Sequence, residues 1–185
     1  MVAPAVNRAL LGVAAFAAIG YLVAMVFTGA LPQSRQRVQF EAKGVLRLAP
    51  EQIARVELAR GADRAAFVRG PGAGWTREGA GALAPPLSER LSMAVQLMHT
   101  AGPVRVLEQA ELAGVDLRQF GLDRPVLSIA LHAGSGDVLR ARFGGSNPDG
   151  MLQYMAIEGR AEIVLMSRFV GREWVAVAES VFPAR

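Results

Sequence analysis

Residues 120–145 read FGLDRPVLSIALHAGSGDVLRARFGG, and the period of this stretch decides the fold. Pro125 fixes its own φ and withdraws an amide, so a helix cannot run through it. After it, Leu127, Ile129 and Leu131 recur at every second position, the period of a half-buried strand. Gly134-Ser135-Gly136 then breaks the run, and a second run from Asp137 to Phe143 ends in Gly144-Gly145. Two runs of period two around a glycine break form an antiparallel hairpin. In the lead-in, Gly121 permits a turn, Leu122 is placed to plug a core, and Asp123 is placed to bond nearby amides. The stretch reads as architecture rather than as the rim of a catalytic pocket.

Working toward the C-terminus, Asn147-Pro148-Asp149-Gly150 carries turn chemistry, with Pro second and Gly fourth. MLQYMAIEG and AEIVLM add two strands. SRFVGREWVAVAES reads as a last helix, with Ser167 as its cap and Phe169, Trp174, Val177 and Val181 for burial. Toward the N-terminus lie a strand VRVL and a short helical segment EQAELAG, residues 108–114. Before them PPLSERLSMAVQLMHTAG forms an amphipathic helix, with Leu87, Leu91, Ala94, Val95 and Met98 on the face that meets the sheet. Earlier still come IARVELAR, RAAFVRG and a short strand at Trp75 to Arg77. IARVELARGADRAAFVR and VLSIALHAGSGDVLRARF share one pattern, the mark of a degenerate internal repeat. The expected fold is α+β: an antiparallel sheet with two main helices, one between two strand groups and one at the end.

The first residues belong to a different physical class. From Ala9 to Leu31 there is no charge, and a helix of that run matches a hydrocarbon core of about 30 Å at about 1.5 Å per residue. A cleaved signal would have a shorter apolar centre, and Thr28-Gly29-Ala30 matches a cleavage site weakly. The expected organisation is a short cytoplasmic head (1–8), a transmembrane helix (9–31), a juxtamembrane linker (32–50) and an extracytoplasmic domain (51–185). Gly20, Ala24 and Thr28, four apart, form the expected helix-packing interface. Arg35 and Arg37 are the expected lipid or partner contacts at the membrane edge. The positive charges after the run oppose an outward domain. A very short head acting as a signal-anchor favours it, giving a single-pass protein of the bacterial inner membrane with its C-terminal domain in the periplasm.

The chain of 185 residues contains no Cys, which excludes disulfides, thiolate zinc sites, iron–sulfur clusters and a thiol nucleophile. Net charge is +4 and aromatics are 6%. The arginines are interleaved with acids rather than gathered with aromatics, so the footprint of a nucleic-acid binder is missing. His99 and His132 have no second ligand at metal spacing. GPGAG is followed by no helix start and no Gly-Lys-Ser/Thr. Asn147 and Asp149 lack the acidic repetition of a calcium loop. The expectation is no catalytic residue, no metal and no cofactor, with integral membrane subunits and the bilayer as partners and no identifiable small-molecule substrate.

GWTRE at Gly74 to Glu78, FGLDRP at Phe120 to Pro125, then Gly144, Asp149-Gly150, Tyr154 and EIVLM carry a family resemblance. Over roughly residues 53–167 the chain resembles the family known as domain of unknown function 4340. Its motif residues here are Trp75, Gly121, Leu122, Asp123, Pro125 and Tyr154. The resemblance implies an extracytoplasmic domain tethered beside membrane machinery, often near ABC-transporter or gliding-motility components, without transferable catalytic residues. Two roles are expected: a non-enzymatic accessory or assembly subunit of a membrane complex, or a periplasmic ligand- or peptide-binding domain tied to an ABC-type transporter.

Overall fold

The computed structural model describes residues 8–27, 42–70, 72, 74–134 and 136–182. They fall into two units, Met1–Phe40 and Glu41–Arg185, each with its own physics.

Among the described residues the first unit holds one helix, α1 (Arg8–Phe27). No proline interrupts it. Side chains from 12 to 24 are exposed, and Val13, Phe16, Ile19 and Leu22 each leave more than half of their surface uncovered. An apolar helix without a polar face has no stripe to bury against a water-soluble core. Among the described residues no helix is long and apolar enough to cross a membrane. The uncharged run to Leu31 continues past the end of α1, and Thr28, Arg35 and Arg37 lie outside the described residues.

The second unit is α+β. Its elements are β1 (Ile53–Arg60), β2 (Asp63–Arg69), β3 (Trp75–Arg77), β4 (Gly81–Ala82), α2 (Pro85–Thr100), β5 (Arg105–Leu107), β6 (Leu127–Ala133), β7 (Gly136–Ser146), β8 (Leu152–Ile157), β9 (Ile163–Ser167) and α3 (Arg168–Val181). The nine strands form one sheet in the order β4-β3-β2-β1-β6-β7-β8-β9-β5. Every pairing in it is antiparallel. The two expected hairpins are β1–β2 and β6–β7, and their first strands meet at the middle of the sheet, Glu57 opposite Ala130.

Alternation sends Val56, Leu58, Phe67, Leu127, Leu131, Leu139, Phe143, Met155 and Met166 to one face, where α2 and α3 cover them. Leu91, Ala94, Val95 and Met98 of α2 are buried as expected, and Leu87 is partly buried. Ile53 is also buried, although it shares parity with Arg55 and Glu57, because the register shifts between Ile53 and Arg55.

Several expectations are corrected. Part of the expected linker 32–50 belongs to the domain: Val45 and Leu46 are buried in the core, and Gly44 and Leu46 donate to the carbonyls of His99 and Met98, each at 2.9 Å. Residues 108–114 form turns rather than a helix: the run is too short to hold a helix by itself and Gly114, at φ +77°, ends it, although the Glu111 carboxylate accepts from the Glu108 amide at 3.1 Å as it would at a helix start. Ser167 makes no side-chain cap. Phe169 is 53% exposed, since it stands one residue off the buried stripe Val170, Trp174, Val177 and Val181. Asp123 is exposed and makes no hydrogen bond among the described residues; Asp116 instead accepts from the Arg118 amide at 3.0 Å.

Candidate functional site

The sheet face turned away from α2 and α3 is covered at one end and open over its centre. Strand register sets its residues in rows. Arg64, Ala59, Ser128 and Arg142 lie opposite one another across four strands, and Ala66, Glu57, Ala130 and Arg140 form the next row. Arg55, His132 and Asp137 form a third. Small side chains at Ala59, Ala66, Ser128 and Ala130 make a low floor, and long charged ones make its walls. The result is an open depression of about 770 Å³, within the size range of ligand sites.

The charged side chains around the floor form two sets that differ electrostatically, each with members on both flanks. In one, Arg55 pairs with Glu57 at 3.1 Å and with Glu78. Beside them Asp137 accepts from Arg140 at 2.7 Å and lies 2.5 Å from His132 Nδ1. His132 Nε2 is 3.5 Å from Glu57. Arg140 also lies 3.8 Å from Glu158. The Arg140 hydrogen bond, with help from His132, holds the Asp137 carboxyl below its ordinary value, and Asp137 in turn raises Arg140. This set neutralises itself. In the other, Arg64 of β2 and Arg142 of β7 face each other across Ala59 and Ser128, and Arg64 donates to the carbonyls of Gly61 and Asp63 at 2.7 and 2.9 Å. Arg142 reaches the Leu122 carbonyl at 3.4 Å. These acceptors are neutral, so both guanidiniums keep their charge uncompensated; among the described residues neither forms an ion pair.

The covered end is where the 120–125 motif sits. Phe120 and Leu122 pack with Ile163 and Tyr154 over β8 and β9, the Phe120 and Tyr154 rings 4.7 Å apart. Gly121 has φ +66°, and a Cβ there would meet the Gly145 amide. Gly144 has no room for a Cβ beneath Phe120 and Leu122. Of the motif residues, Gly121, Leu122 and Tyr154 therefore come together, with Pro125 leading into β6. Trp75 stands apart, buried under α2, where its ring nitrogen donates to Ser92 Oγ at 2.9 Å and the Arg69 guanidinium lies over its ring. Gly20 and Ala24 belong to the other unit.

The His132–Asp137–Glu57 group is absent from the expectations, yet the hairpin register contains it: closing the turn at Gly134 to Gly136 sets His132 opposite Asp137. The only hydroxyl on that side of β6, Ser128, lies four residues from His132 along the strand, about 13 Å at a strand's rise, too far to be activated by it. Among the described residues no group of three or more acids and histidines could hold a metal. Asn147 is already engaged, its carbonyl oxygen accepting from the Met151 and Leu152 amides. No family model matches the chain, and no curated protein or solved structure is significantly similar to it.

Proposed function

We propose that the chain is a non-enzymatic accessory subunit of a bacterial membrane complex, held in the inner membrane by its N-terminal segment with the sheet domain on the periplasmic side. The supporting observation is α1: a helix with no charge after Arg8 whose side chains from 12 to 24 are exposed on all sides. Such a surface is stable only in lipid or against other apolar helices. Gly20 and Ala24 share one face of it and offer close approach to a partner helix. The likeness to the domain of unknown function 4340 family, proposed from its motifs, agrees with a tethered role.

The test is extraction of native membranes with alkaline carbonate, which should leave the chain in the pellet. Recovery in the wash overturns the reading. Orientation is readable because the chain has no Cys. A cysteine introduced at Arg118, whose side chain is 80% exposed, should react with an impermeant maleimide in spheroplasts. Replacing Gly20 and Ala24 together by Leu should leave the chain in the membrane while loosening copurification of partner subunits. The open sheet face favours a second reading, a ligand- or peptide-binding domain tied to an ABC-type transporter; copurifying ATPase subunits would select it.

A further inference from the structure

We infer that the open sheet face docks an amphipathic helix of a partner protein, one whose narrow apolar stripe is flanked by carboxylates. This names the contact that the accessory-subunit reading leaves general, and it rests on that reading for its setting only.

Three observations carry it. The floor is built of Ala59, Ala66, Ser128 and Ala130, with Glu57 between Ala66 and Ala130 held toward Arg55 and His132, and the small side chains let a helix axis come close, as long ones would not. Ala130 is only 5% exposed although it faces outward, so the floor is recessed between charged walls. The charge on those walls is unequal. Arg55 and Arg140 are matched within the molecule, whereas Arg64 and Arg142 hold only backbone carbonyls. Carboxylates on an incoming segment would find those two guanidiniums ready for charge-assisted bonds. Finally, the same face is already layered where the chain supplies a layer. The helical turn Leu117–Phe120 sits beyond Arg142, and Phe120 and Leu122 press on β8 and β9. The uncovered part continues that layer, and its 770 Å³ is about the volume of one or two turns of a helix some 10 Å across. A partner strand would instead seek a sheet edge, and this site is a face.

The experiment places a photoreactive phenylalanine analogue at Ser128, and separately at Ala66, in the full chain in its native membranes, and sequences the crosslinked peptide. The expected result is one acidic segment with apolar residues three and four apart, captured from both positions. Arg64→Glu with Arg142→Glu should lower its yield about tenfold, with the circular dichroism unchanged, whereas Arg172→Glu on α3 should not. A basic or uncharged segment, an extended one, a lipid or small molecule in place of a peptide, or no adduct while the chain still copurifies with its complex each overturns this inference and leaves the accessory role standing. A chain that washes off the membrane defeats the accessory role instead.

Discussion

Gly144 carries no side chain for a reason that lies on another segment of the chain: the Phe120 carbonyl and the Leu122 side chain occupy the space. Gly144→Ala should cost about 1–3 kcal/mol by overpacking, read as a lower urea midpoint at unchanged slope. Trp75→Phe keeps most of the buried ring but strands Ser92 without its donor; about 1 kcal/mol should be lost in the same titration. Asp137 governs a pH effect. Its carboxyl is depressed in the folded chain, first by the Arg140 hydrogen bond. Its stabilisation is therefore complete above the ordinary Asp value and disappears as pH falls through the lower folded value. Melting temperatures from pH 7 down to about 3 should converge between the wild type and Asp137→Asn, with the gap widest at pH 7. At this scale the sequence was legible where a residue's own geometry decides, as with Leu122 and Gly121. It was opaque at Asp123, because nothing local shows that Asp116 takes the amide.

Period was a reliable guide to the elements wherever a run was long enough to show one. The α2 stripe and the alternation of β6 and β7 were visible because burial on one side repeats through each element. Short segments carry no such record: residues 108–114 have helix-forming composition, but the run is too short to hold a helix and Gly114, at φ +77°, ends it in turns. In α3 the stripe was readable at Trp174, Val177 and Val181, but not at its first turn, since Phe169 and Val170 are equally apolar and only the docked helix chooses between them. That docking yields a prediction that opposes intrinsic propensity. Gly171 lies inside α3, where Ala would be favoured by about 1 kcal/mol. A Cβ there would run into the Gln153 side chain, a buried amide that donates to the Gly144 carbonyl at 2.9 Å. Gly171→Ala should therefore lower the thermal midpoint, and pairing it with Gln153→Ala should recover part of the loss, which separates the clash from any effect on the helix itself.

For the whole molecule, the candidate site was half visible. Alanines and arginines at alternating positions were on the page, but which strands become neighbours was not, and the depression exists only because β1 joins β6. The proposed anchor was readable from charge alone, since an uncharged run needs no tertiary context to be noticed. The central seam also has a consequence in time. Glu57 waits for Ala130, a partner about seventy residues behind it on the ribosome, and at roughly 5–20 residues per second the delay is several seconds. Until then β1 has an unsatisfied flank, open to any other extended chain. Biogenesis should thus hinge on a holdase present during translation, and a chain halted before β6 should precipitate rather than fold as half a domain.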